Sequence, residues 1–366
     1  MAILVGLLLP LCACGAPAQA PAETAAPTPA QTAAPAEQVP LLGFIVEDDG
    51  QMPAYMMMHG FLRTAENLGY PAKLYRAAPG AEAQEAVARA LEEGCDALLI
   101  QNSGGANDGA LEAAMQGGVY TAVPYDVCTL EGLDVNVVAD DSEYIEELAR
   151  GIANRMTERG LRSGKILVYG IGTAAVYEKI QAAIAQYYPQ FQVTAYERTS
   201  QGQAAVEELS TYLLYNRDIK GMYAVDTASA PLAVEARNQA IRLFRSEGTP
   251  SPTPEPSLAP GQEPAPTPNP GLLTQISITA FGCGLSDENL RLFNDNDIYG
   301  LCIEPYYEAA ANATMQLDRL LLGEEAERTM RVNRPIVYGD TIDKYLAIYE
   351  EVQGLFGLAA TPNPEV

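Results

Sequence analysis

From Leu41 onward, short runs of Val, Ile, Leu and Ala alternate with longer stretches in which apolar residues recur every three or four positions. Short apolar runs bounded by Gly, Pro, Asn or Asp read as strands, and the longer period reads as amphipathic helix. Strands are expected at Leu42–Val46, Ala72–Tyr75, Ala97–Gln101, Tyr120–Tyr125 and Val135–Val138. Helices are expected between them at Tyr55–Leu68, Ala81–Glu93 and Gly109–Gln116. Gly69 and Gly94 stop the first two, glycine being the residue that turns left-handed at least cost. The pattern restarts with helix Ser142–Arg159, for which Ser142 is a candidate N-cap. It continues through strands Lys165–Tyr169, Gln192–Glu197, Gly221–Val225, Ile276–Phe281, Tyr299–Ile303 and Pro335–Tyr338. The intervening helices are Ala174–Tyr187, Ala204–Leu214, Leu232–Phe244, Glu288–Asn294 and Tyr306–Leu322.

Strict alternation of strand and helix implies parallel sheets covered on both faces. Two successive runs of such units imply an α/β fold of two similar doubly wound parallel-sheet lobes joined by a hinge. A length of 366 residues agrees, since single cores stop growing beyond about 250–300 residues. We expect residues 41–140 with 305–334 to form the first lobe, and 141–304 with 335–358 the second. In open α/β sheets ligands meet the loops at the carboxyl ends of the strands. The loops around 47–54, 101–108, 126–132, 170–174, 198–203, 226–231 and 282–287 should therefore face the cleft.

Two stretches break the pattern. Residues 15–40 and 249–271 are rich in Pro, Ala, Thr, Gln and Glu and carry almost no bulky apolar side chains. Such segments bury too little to fold. The first is expected to be a tether, the second an insertion on the side of the second lobe away from the cleft. Ahead of the tether, residues 3–13 form an apolar run too short for a bilayer-spanning helix, which needs about 20 residues. It fits a secretory signal peptide over 1–14. Leu11-Cys12-Ala13-Cys14-Gly15 resembles a bacterial lipobox, with Cys14 the lipidated residue. The implied location is the cell envelope, anchored to the outer face of the cytoplasmic membrane or on the periplasmic side.

Composition narrows the chemistry. There are 47 Asp and Glu against 22 Lys and Arg, a formal charge of −25, which disfavours nucleic acid. His59 is the sole histidine, so multi-His metal sites and most catalytic triads are excluded, and no cofactor is expected. Cys95, Cys128, Cys283 and Cys302 form no CxxC pair, and a Cys283–Cys302 disulfide stays open. Gly170-Ile171-Gly172-Thr173 lacks the Lys of a phosphate loop. It is read as a backbone turn at the cleft.

Several segments occur in a telling order. They are Gly43-Phe44-Ile45-Val46, Gly60-Phe61 through Gly69-Tyr70, Gly94-Cys95-Asp96-Ala97-Leu98-Leu99-Ile100, Val123-Pro124-Tyr125-Asp126, Gly221-Met222-Tyr223-Ala224-Val225-Asp226 and Glu304-Pro305-Tyr306. The series resembles the type I periplasmic binding proteins, the ribose-binding-like branch, over about 41–350. The resemblance implies a non-enzymatic, monomeric binding protein that closes on a carbohydrate or related polar ligand and delivers it to the permease subunits of an ABC importer. Presentation of ligand to a chemoreceptor or sensor kinase is the alternative. Paired strand-end carboxylates also leave a hydrolase open. The ligand positions implied are Asp49, Gln51, Tyr55, Gln101 (or Asn102), Asp126, Tyr177, Asp226 and Glu304. Val127 and Tyr177 stand where these relatives carry arginines. An acidic cleft without them should prefer neutral or amine-bearing ligands over anions.

Overall fold

The computed structural model describes residues 39–47, 50–246 and 278–358. Cys14, Asp49, the 15–40 tether and the 249–271 insertion lie outside these residues. The first sheet is built from β1 (Leu41–Glu47), β2 (Ala72–Ala77), β3 (Cys95–Ile100), β4 (Tyr120–Val123), β5 (Val135–Asp140) and β11 (Thr329–Asn333). Its order is β11-β5-β4-β3-β1-β2, all neighbours parallel. Helices α1 (Met52–Leu68), α2 (Ala81–Glu92), α3 (Asp108–Gln116) and α9 (Tyr306–Leu321) cover it.

The second sheet comprises β6 (Gly164–Gly170), β7 (Phe191–Glu197), β8 (Ile219–Ala224), β9 (Thr279–Cys283), β10 (Ile298–Cys302) and β12 (Ile336–Val337), in the order β12-β10-β9-β8-β6-β7. Helices α4 (Asp141–Glu158), α5 (Thr173–Tyr187), α6 (Gly202–Tyr215), α7 (Ser229–Ser246) and α8 (Asp287–Asn294) flank it, and α10 (Asp343–Phe356) ends the described chain. Both sheets carry an apolar core on each face, as α/β layering requires.

The expectation of purely parallel sheets needs one correction: β12 pairs with β10 antiparallel, Leu301 opposite Val337. The chain arrives there from the first sheet and needs only two residues to cap an open edge. The strand expected at Tyr120–Tyr125 stops at Val123. Pro124 has no N–H to give the ladder, and Tyr125 takes a left-handed backbone with φ of 75°.

Three crossings join the sheets: 140–141, 303–305 and 334–335. The first and third leave carboxyl ends of strands in the first sheet, the second a carboxyl end in the second sheet. α4 begins at the carboxyl edge of the second sheet because it runs antiparallel to β6. The carboxyl edges of the two sheets therefore face each other. Ile303 N–H donates to the Pro335 carbonyl at 2.8 Å, so the second and third crossings are themselves paired.

α1 and α9 pack closely because α1 carries Gly60 at the contact. A Cβ there would collide with the Tyr307 carbonyl oxygen, a backbone atom that cannot swing away. Gly60→Ala is expected to lower stability by about 1–3 kcal/mol, the usual range for overpacking, read as a shifted urea midpoint at unchanged slope.

Candidate functional site

On the first sheet, β1 ends in buried Glu47. Its carboxylate accepts from Ser103 N–H (3.1 Å), Asn107 Nδ2 (3.3 Å) and Gln101 Nε2 (3.4 Å). Gln101 Oε1 accepts from the Glu47 N–H at 3.1 Å. Asn102 Oδ1 accepts from Asn107 N–H at 2.7 Å, and its Nδ2 donates to Asp108 at 2.8 Å. Gln101 and Asn102, both expected at the ligand, are buried side chains that stitch the loops after β1 and β3 together.

Asp126 differs. Its carbonyl accepts from Asn136 Nδ2 at 2.7 Å. Its half-buried carboxyl group has no hydrogen-bond partner among the described residues. Burial, helped by the charge of Glu47, pushes its pKa up to about 6.

The facing edge belongs to the second sheet. Asp226, just past β8, accepts from Ile171 N–H (3.0 Å), Ser229 N–H (2.9 Å) and Ser229 Oγ (2.7 Å). Arg198 Nη2 lies 3.5 Å from it. Arg198 is itself held, donating to Ser229 Oγ at 2.8 Å and to the Ser200 carbonyl at 3.2 Å. At the N-terminus of α5, Gly172 N–H, Thr173 N–H and the Thr173 hydroxyl all donate to Glu197. These donors hold that carboxyl group below the usual range. The anion position that the Gly-Ile-Gly-Thr turn offers is filled by the protein's own carboxylate.

Glu304 lies in the second crossing. Arg334 Nε is 3.0 Å from its Oε2, and Cys283 Sγ donates to Oε1 at 3.1 Å. The Tyr125 hydroxyl donates to Glu304 and accepts from Arg334 Nη2 at 2.8 Å. The Tyr125 ring stacks on Tyr306 at 4.4 Å, and the Arg334 guanidinium lies over both Tyr125 and Tyr144. Burial and the Glu304 charge raise the Tyr125 pKa, keeping the phenol protonated.

The expectation of uncompensated carboxylates is thereby corrected for two of them. Arg198 stands beside Asp226 and Arg334 beside Glu304, so cations reach these carboxylates although Val127 and Tyr177 carry no charge. Tyr177 lies on α5, half-buried against the second core. Gln51 directly precedes α1 and is exposed. Tyr55 stacks on Phe356 of α10 at 5.0 Å, with Arg76 over both rings. The structure thus gathers Gln101 and Asp126 around Glu47 on one edge, with Asp226 on the facing edge and Glu304 at the hinge. Sequence reasoning missed Glu47, Glu197 and Arg334. Position at a strand end was the available signal for the first two. Among the described residues, no cluster of three His, Cys, Asp or Glu side chains could hold a metal ion, and the four described cysteines are free thiols.

No protein-family model matches the chain, and no curated protein matches its sequence. Its architecture does match solved structures. AraP, an arabinose binding protein from Geobacillus stearothermophilus, is 13% identical, with a TM-score of 0.62 over 84% of this chain and 99% of that one. A sugar-binding protein of a sugar ABC transporter from Bacillus halodurans is 14% identical, with a TM-score of 0.61 over 83% and 99%. A periplasmic ribose ABC transporter structure from Conexibacter woesei is 15% identical, with a TM-score of 0.60 over 84% and 95%. At these identities the likeness is one of fold: the chain has the two-sheet fold of the type I periplasmic binding proteins.

The unpartnered Asp126 has a measurable consequence. Its folded pKa of about 6 lies above the unfolded value near 4. The folded state therefore binds the extra proton, and stability falls as pH rises between those values and stays reduced above them. Asp126→Asn should raise Tm at pH 8, by about 2–4 °C for each kcal/mol recovered. The gain should vanish below about pH 4. Differential scanning calorimetry at the two pH values checks it.

Proposed function

We propose that the chain is an extracytoplasmic solute-binding protein that closes two lobes around a small neutral polar ligand, a carbohydrate or related molecule, and delivers it to an ABC importer. The lobes are 41–140 with 305–334 and 141–304 with 335–358, bending about the three crossings. Asp126 carries the proposal. Among the described residues it is the strand-end carboxyl group on the facing edges left without a protein donor, so a ligand hydroxyl or amine can supply one. The Asp226 and Glu197 carboxylates line the opposite edge already satisfied, which disfavours an anionic ligand. AraP is described as binding arabinose, and a solute-binding protein from Agrobacterium vitis was solved with alpha-D-tagatopyranose; both support a carbohydrate. Asp126 and Asp226 are not proposed as acid and base, because Asp226 is fully engaged in holding the Ile171 and Ser229 backbone.

A thermal-shift screen of pentoses, hexoses, polyols and nucleosides tests the proposal. Ligand at 100 times its Kd stabilises the native state by about 2.7 kcal/mol, so a true ligand should raise Tm by several degrees. A flat response to every class would defeat it.

The envelope location is also ours to propose. Cys14 carries lipid and holds the protein at the membrane, each buried methylene contributing about 0.8 kcal/mol. Cys14→Ser should move the protein from the membrane fraction to the soluble one. An unchanged distribution would rule lipidation out as the anchor.

A further inference from the structure

The lips of the cleft carry apolar side chains that the binding proposal leaves unexplained. Val127 follows Asp126 on the first sheet's carboxyl edge and is 74% exposed. Ile171 directly follows β6 on the second sheet's carboxyl edge and is 59% exposed. The three crossings set those edges face to face, so each edge carries one exposed branched aliphatic residue. Neither position is adrift. Ile171 is pinned through its N–H to Asp226. Val127 lies between Asp126, whose carbonyl accepts from Asn136, and Cys128, whose N–H donates to Asn136 Oδ1 at 3.0 Å.

The polar groups around them are largely spoken for. Gln101, Asn102 and Asn107 bond one another and Glu47. Asp226, Glu197 and Arg198 are occupied on the opposite edge. Glu304, Arg334 and Tyr125 are occupied at the hinge. A pentose or hexose with its full set of hydroxyls needs a partner for each of them once closure removes water. This edge offers few, and it offers hydrocarbon.

Resting on the solute-binding proposal, we infer that the ligand is a sugar bearing a methyl or comparable apolar substituent, a deoxy or alkylated carbohydrate, which Val127 and Ile171 enclose on closure. Apolar contact from both sides rewards the methyl group, whereas an added hydroxyl there exchanges water for hydrocarbon. One methyl-sized group in a hydrophobic pocket changes affinity by about tenfold or more.

The test is calorimetric titration of the full chain with matched pairs: L-rhamnose against L-mannose, D-fucose against D-galactose, and a methyl glycoside against its free sugar. In at least one pair the deoxy or methylated member should bind about tenfold tighter. Val127→Asn and Ile171→Asn should each shrink that ratio. Both sites are exposed, and an unchanged Tm will show that the variants fold; Val127→Ala, which only removes hydrocarbon, should move the ratio the same way. Parent sugars binding as tightly as their partners, or more tightly, overturns this inference and leaves the solute-binding proposal standing. A preference that survives the substitutions also overturns it. So does equal weakening of both members of a pair, which would mean that the two side chains meet each other on closure. Absence of binding by any sugar overturns the inference and the solute-binding proposal together.

Discussion

Glu304 and Arg334 form an ion pair where two of the three crossings meet, with side chains only 14% and 19% exposed. Burying two charges is costly, and the attraction between them offsets that only when further hydrogen bonds satisfy the remaining lone pairs and donors. Here the Cys283 thiol and the Tyr125 hydroxyl supply them. Tyr125 holds a positive φ, a conformation that costs on the order of 1–3 kcal/mol and persists only when its surroundings over-determine it. A phenol bonded to both members of the ion pair and a ring stacked on Tyr306 do so. Turning the chain at Tyr125 in turn sets the course of the next residues, Asp126 and Val127. The hinge and the first sheet's share of the cleft are thus one cooperative unit.

Among the 47 acidic residues, several meet the same problem at strand ends: Glu47 closes β1, Glu197 closes β7 and Asp226 lies just past β8. Carboxylates collect where backbone N–H groups of following turns and helices need acceptors, and there they act as internal caps. Glu47 ties down the loop after β3, Asp226 the starts of α7 and of the 171 turn, and Glu197 the start of α5. Each removes an acceptor from the cleft while fixing its wall. The walls of these turns are thus fixed by the chain's own carboxylates, and among the described residues Asp126 is the strand-end carboxyl group left over.

The alternation of strands and helices was legible because each core-facing run is short, apolar and bounded by turn residues, as in Leu42–Val46 and Lys165–Tyr169. β11 escaped notice because Val332 is its one fully buried residue, the rest being half-buried or exposed. α10 escaped because its buried residues Tyr345, Tyr349 and Val352 are set among Glu350, Glu351 and Gly354, a weak apolar stripe for a helix partly held by side-chain bonds. The strand ends at Asp126, Asp226 and Glu304 were readable as positions, but their partners were not. Arg334 is 30 residues from Glu304, and Arg198 is 28 from Asp226. Spacing carries no signal for either pair, since Arg198 and Asp226 follow two different strands of the second sheet and Arg334 and Glu304 lie in two separate crossings. The loss of arginine at Val127 and Tyr177 suggested a cleft without cations, whereas cations reach the same carboxylates from different strands.

α10 bears on how such a molecule could open. Its first half belongs to the second core, where Tyr345 and Tyr349 are buried and the Tyr349 hydroxyl donates to Asp287 of α8 at 3.0 Å. Gln353, one turn on, donates to the same carboxylate at 2.9 Å. Its end belongs to the first core, where Phe356 stacks on Tyr55, and Glu351 lies 3.4 Å from His59 of α1. Met52, at the start of α1, packs in return against the second core. Separating the two carboxyl edges must therefore either strip Phe356 and Met52 of apolar contact or bend α10 away from one lobe. The first exposes hydrocarbon to water at about 25 cal/mol per Å².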